Sequence, residues 1–257
     1  LDIPAGRMFR YEPATGRHEE CYHGGVVGGT TLQADGALLL FMARGAVKTW
    51  RDGTLSTVLD EIPEERDSRF NDVIADPEGR VFCGTMSSPH HGGRLYRLDP
   101  DGRITRLLDG LGTPNGMGFT ADLRRMYFTD SGAHSIYLFD YDRETGGISN
   151  QRVFLKTPDG EGAPDGMTLD SEGFIWSARW DGWSLFRYTP DAHEDRRIRF
   201  PAKKVSSATF GGEDLTDLYV TTAGGNNREE NGPSAGALFR LRPGVRGVPE
   251  FRSRVRL

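Results

Sequence analysis

A frame that recurs five times with a period in the forties constrains this chain more than any other feature it has. Aligned on one position, the copies read "GGTTLQADGALLLFMA" from Gly28, "NDVIADPEGRVFCGTM" from Asn71 and "NGMGFTADLRRMYFTD" from Asn115. Two more follow, "DGMTLDSEGFIWSA" from Asp165 and "SSATFGGEDLTDLYVTTA" from Ser206. Successive starts lie 43, 44, 50 and 41 residues apart. Each copy holds a small or polar head residue, a short apolar run, an acidic or Gly-rich turn and a second apolar run. Between copies lie "GRLYRLDPDGRITRLL", "SIYLFDYDRETGGISNQRVFL" and "WSLFRYTPDAHEDRRIRF", each a strand, a turn and another strand.

Every period therefore carries four short antiparallel strands, the unit of a β-propeller blade. A sandwich or closed barrel has no need of such a period. The segment "LDIPAGRMFRYEPATGRHEECYH" holds the two later strands of a further blade. The expected fold is an all-β, six-bladed β-propeller of four-stranded antiparallel blades, one domain over 1–257. Its first blade is expected to be incomplete at the N-terminus, with roughly 15–25 residues of a longer parent preceding Leu1. The segment "GALFRLRPGVRGVPEFRSRVRL" should complete the fifth copy's blade and lend a strand to ring closure.

Composition narrows the function classes. A net charge of −5 provides no basic field for nucleic acid. No run of about 18 apolar residues offers a membrane span. Two cysteines, Cys21 and Cys83, make no disulfide scaffold, and Cys83 in "RVFCGTM" reads as a small buried hydrophobe. With no basic n-region and apolar h-region at the start, the expected compartment is cytoplasmic. The expected partner is a small molecule, with no nucleic acid and no membrane, and the chain a monomer or a weak homo-oligomer.

In an up-and-down blade the heads of the first strands share one end of the channel. Gly28, Asn71, Asn115, Asp165 and Ser206 should ring that end, with the loops Ser87–Gly93, Ser131–Ser135, Arg179–Trp183 and Ala223–Gly236 beside them. Two carboxamides and a carboxylate converging there would make an oxygen cage for a hard divalent cation. The competing explanation is that Asn-Gly and Asp-Gly are ordinary turn dipeptides.

"SRFNDVIADPEGRVFCGTM", "TPNGMGFTADLRRMYFTDS" and "PDGMTLDSEGFIWSARWDGWSLFRYTP" resemble the senescence marker protein (regucalcin), gluconolactonase and luciferin-regenerating enzyme family, and "WSARWDGWSLFRY" its bacterial sugar-lactonase branch. The resemblance runs along essentially the whole chain. It implies a six-bladed propeller that hydrolyses lactones with one divalent metal ion, calcium ahead of zinc, magnesium or manganese. It implies that Asn115 and Asp165 are metal ligands. Arg69 and Asn71 are implied as substrate contacts, Asn71 also reaching the metal. The family's Glu ligand, in a Gly-Glu-Gly-Pro motif of the first blade, has no counterpart here. Relatives with an acidic substrate contact in the loop matching Ser87–Gly93 are answered here by Pro89, His90 and His91.

The expected activity is metal-dependent hydrolysis of a sugar lactone, such as a glucono-, xylono- or arabinonolactone, to the aldonic acid. Asp165, the one carboxylate among the five heads, is the candidate general base. Asp72 should point away from Asn71 on an extended strand and orient the loop. His91 and Trp180 are further candidates for substrate binding, Trp180 by stacking on a sugar ring. The alternatives are an organophosphate-type hydrolase on the same scaffold and a non-catalytic calcium-binding propeller.

Overall fold

In the computed structural model, which describes residues 1–256, the chain folds as six antiparallel sheets in chain order. It divides into two compact units, Leu1–Pro114 with the tail from Glu250, and Asn115–Pro249. The first unit holds three sheets. A two-stranded one comprises β1 (Arg7–Glu12) and β2 (Arg17–His23). The next comprises β3 (Val27–Leu32), β4 (Leu38–Met42), β5 (Val47–Arg51) and β6 (Thr54–Leu59). The third comprises β7 (Phe70–Ala75), β8 (Val81–Thr85), β9 (Gly93–Leu98) and β10 (Ile104–Leu111).

The second unit also holds three. One contains β11 (Pro114–Phe119), whose first residue falls in the first unit, with β12 (Arg125–Asp130), β13 (Ser135–Asp142) and β14 (Gly147–Lys156). The next contains β15 (Ala163–Leu169), β16 (Ile175–Trp180), β17 (Ser184–Tyr188) and β18 (Glu194–Arg199). The last contains β19 (Lys204–Gly211), β20 (Asp217–Ala223) and β21 (Leu238–Leu241), with a helical turn α1 (Arg228–Asn231) in the loop before β21.

The fourth strands of the four-stranded sheets are the exposed ones. β11 is buried throughout and β8 throughout, whereas β6 is mostly exposed. Strands covered on both faces read as continuous apolar or small-residue runs, which is why "VFCGT" and "IWSAR" show no alternation. The cores lie between neighbouring sheets. Phe41 meets Phe70 edge to face in the first unit, and Trp176 meets Phe210 in the second. Cys83 is fully buried, and burial pushes its thiol well up.

The recurrent acidic turns prove to be structural. The buried Asp76 accepts from the backbone of Glu78 and Arg80, each at 2.9 Å. Asp170 does the same for Glu172 and Phe174 at 3.0 and 3.1 Å. The side chain closes the turn between first and second strands.

The end of the chain departs from expectation. β21 joins the fifth head's sheet, but that sheet has three strands among the described residues, and the tail adds none to the first sheet. "RPGVRGVPEF" explains this, since Pro243 and Pro249 have no N–H for a ladder. The tail instead straps the turns of the first unit. Ser253 N donates to Leu32 O, Arg254 N to Gly79 O and Arg256 N to Pro100 O. Gln33, buried, clamps Val255 from both sides, its Nε2 donating to the carbonyl at 2.9 Å and its Oε1 accepting from the N–H at 3.1 Å. Gln33→Ala is expected to lower stability by about 2–4 kcal/mol, because two buried main-chain groups lose their partners. Urea unfolding checks it.

Candidate functional site

The head positions share a device that the repeat pattern hides. Wherever the pairing of first and second strands is defined, the register slips at the head. The slip falls between Val27 and Gly29 at Gly28, and between Phe70 and Val73 at Asn71. It falls between Pro164 and Met167 at Asp165, and between Val205 and Ser207 at Ser206. A β-bulge re-aims the side chain it carries and bends the strand. None of Asn115, Gly116, Asp165 and Gly166 has positive φ, and all four lie inside β11 or β15. The turn-dipeptide explanation is thereby excluded.

In the second unit Asn115 and Asp165, both 8% exposed, head neighbouring strands. A Cβ on Gly116 would lie 2.6 Å from Asp165 O, so the two backbones pass almost in contact. Asn115 Nδ2 donates to Ser131 Oγ at 3.1 Å, and Ser131 Oγ donates to Pro164 O at 2.6 Å. The nitrogen edge of the carboxamide is committed through Ser131 to the residue preceding Asp165.

One carboxamide and one carboxylate oxygen suit a hard cation that completes its shell with water or substrate oxygen. No cluster of three His, Cys, Asp or Glu side chains occurs among the described residues. Ser131 was missed by sequence reasoning. Its only signal was its place in the loop directly after β12.

In the first unit Arg69 and Asn71 form a lock. Arg69 Nη1 donates to Phe70 O and to Asn71 Oδ1, both at 2.9 Å, and Asn71 Nδ2 donates to Pro114 O at 2.9 Å. Asn71 thus has both ends of its carboxamide engaged, its oxygen by a cation. Arg69 is half-buried with no carboxylate within ion-pair distance among the described residues, and burial lowers its guanidinium below the usual range. Its Nε and Nη2 hydrogens remain for an incoming oxygen. Because of the bulge, simple alternation does not govern Asp72. It accepts from Val73 N at 2.9 Å, and burial pushes its carboxyl up to about 6.

His91 is tucked inward. Nδ1 lies 2.6 Å from Gly92 O and Nε2 2.8 Å from Glu64 O, with the buried Glu65 carboxylate 3.8 Å away. The ring ties its loop to the 3-10 turn Pro63–Glu65, which leads into Arg69. Trp180, 37% exposed, ends β16 opposite Ala163, and Lys204 Nζ lies 4.6 Å over its ring.

Successive four-stranded antiparallel blades, with bulged heads at one register, define a β-propeller. Residues 1–224 match the SMP-30/gluconolactonase/LRE-like region, and the chain belongs to that family. It is 50% identical to pentonolactonase XacC of Haloferax volcanii over 266 residues, covering all of this chain and 90% of that protein. Among solved structures, a luciferin-regenerating enzyme superposes with a TM-score of 0.90 at 28% identity, covering 99% of this chain and 90% of that one. A calcium-binding protein, regucalcin, from Agrobacterium tumefaciens superposes with a TM-score of 0.88 at 25% identity, covering 99% and 88%.

Proposed function

We propose that this chain is a metal-dependent sugar lactonase, opening the ring ester of an aldonolactone to the aldonic acid, with a pentonolactone as the preferred class. The observation that carries this reading is the Asn115–Ser131–Pro164 relay beside Asp165, in a chain 50% identical to a pentonolactonase along its whole length. Asn115 and Asp165 would hold the ion, with calcium the first candidate. Bound there, a divalent cation supplies polarisation of the lactone carbonyl and stabilises the charge that develops on its oxygen.

The chain's own groups do the rest. Asp165, the one carboxylate among the heads, takes the proton of the attacking water. The less its lone pairs are given to the ion, the better a base it is. Arg69 donates to lactone or hydroxyl oxygens from Nε and Nη2. Asn71 orients that guanidinium, and its Oδ1 is assigned to Arg69 ahead of the metal because a cation already occupies it.

Metal analysis of the purified protein, with acid release from a panel of aldonolactones, tests the reading. Bound metal without turnover of any lactone would favour the non-catalytic propeller, and turnover of paraoxon in preference to lactones the organophosphate-type hydrolase. Arg69→Met is expected to lower kcat/KM about 10- to 100-fold by removing charged hydrogen bonds, while metal content stays at the wild-type level.

A further inference from the structure

We propose that Lys204, with Trp180 and Asp181, forms a specificity-determining subsite that binds the hydroxyl groups carried by the lactone ring; this rests on the lactonase reading above. The repeat leads to it. Two residues before the head Asn71 stands Arg69, and two residues before the head Ser206 stands Lys204. The other heads have Val26, Thr113 and Ala163 at that place. Lys204 is therefore the register equivalent of the arginine assigned to substrate.

In the second unit this layer can be read directly. Ala163, two residues before Asp165, pairs with Trp180. On its other flank the Asp165 segment meets β19, since a Cβ on Gly166 would lie 2.4 Å from Ser207 Oγ and 2.8 Å from Ser206 O. Lys204 opens β19 and so stands two residues, about 7 Å, beyond the Ser206 head along the strand. Trp180 and Lys204 thus stand on the strands either side of the Asp165 segment, in the layer two residues before the head.

The chemistry of the pair suits a polyol ring. Lys204 Nζ is 2.8 Å from Asp181 Oδ1 as well as 4.6 Å over the Trp180 ring, and its side chain is 19% exposed. A lysine serving only solubility extends its ammonium into water. Here the ammonium is folded onto an indole and braced by a carboxylate. Lys203 Nζ, 4.0 Å from the same Asp181 oxygen and 3.5 Å from Glu230, ties the α1 loop to the cluster. Asp181 takes one N–H of Lys204, and two have no acceptor among the described residues. An aromatic face beside free ammonium hydrogens can take a C–H face and hydroxyl oxygens together.

The test compares two lactones on the metal-loaded protein, a pentono-1,4-lactone bearing hydroxyls and unsubstituted γ-butyrolactone. Lys204→Met is expected to raise the ratio of their KM values about tenfold, with the loss in KM rather than kcat, and Lys204→Arg to restore most of it. Calorimetric titration with the pentonate product should show the same weakening without turnover. Equal changes for both lactones, or a pentonate affinity unmoved by Lys204→Met, would overturn the subsite and make the lysine a structural brace. A wild-type protein that opens no lactone would instead defeat the lactonase reading itself, so the two failures are distinct.

Discussion

Asp165→Ala is expected to abolish both cation binding and lactone opening, with kcat/KM falling about 10³-fold or more. On the proposed reading Asp165 is the one head residue that would bring a full negative charge to the ion, and at 8% exposure it is buried. Asn115 alone offers a neutral oxygen, which holds a divalent cation weakly. Ion binding has a signature that does not depend on catalysis. A ligand that binds only the folded state stabilises it by RT ln(1 + [L]/Kd), about 2.7 kcal/mol at a hundredfold excess over Kd. Wild-type protein should therefore melt at higher temperature when the cation is added, and Asp165→Ala should melt at the same temperature with and without it. Asp165→Asn preserves the shape and removes only the charge, so it separates a lost ligand from a disturbed bulge. A variant that keeps both the cation-induced shift and turnover would end the proposed mechanism.

The architecture was legible because a propeller states its plan several times. Each blade must supply a buried first strand, a closing turn and a second buried strand, and the acidic turn residues Asp76 and Asp170 leave the same mark in each copy. The head positions were legible for the same reason. The bulges were not, since one additional residue in a short strand leaves no pattern that alternation can register. Their effect is what places Asn71 and Asp165 differently from their neighbours on the same strands.

Side-chain commitments were likewise beyond the pattern. His91 sits in a loop that topology assigns to the candidate face, yet its ring nitrogens face Gly92 O and Glu64 O, the latter 27 residues away in sequence. Asn71 Oδ1 accepts from Arg69 Nη1, two residues earlier, a contact that composition does not announce. In both cases the partner is a main-chain carbonyl or a flexible cation, and neither leaves a compositional trace. Lys204 was readable in principle, by asking what stands two residues before every head. The tail was misjudged where its prolines and glycines should have weighed against a further strand.

Gly116→Ala is expected to damage stability and the candidate site together. A Cβ at this position would lie 2.5 Å from Met167 N, 2.6 Å from Asp165 O and 2.8 Å from Gly166 C. All three are main-chain atoms, so no side chain can rotate away and β11 and β15 must separate. Overpacking of this kind costs about 1–3 kcal/mol, and more where only backbone can yield. The displacement falls between the residue after Asn115 and the carbonyl of Asp165, so the ligand pair should be spread as the strands part. Misplacement by about 1 Å is enough to cost about 10²-fold in a positioned reaction. The variant should thus lose stability, cation affinity and turnover together. Gly147→Ala is the matched control, since the nearest atom to its Cβ is the side-chain Thr145 Oγ1 at 3.1 Å, which can rotate. It should unfold within about 1 kcal/mol of wild type and bind the cation normally. Denaturant melts and cation titrations of both variants decide the matter. A Gly116→Ala protein as stable and as tightly ion-binding as its control would mean that the Asn115 and Asp165 backbones do not pass at this distance, and the ligand pair would lose its geometric basis.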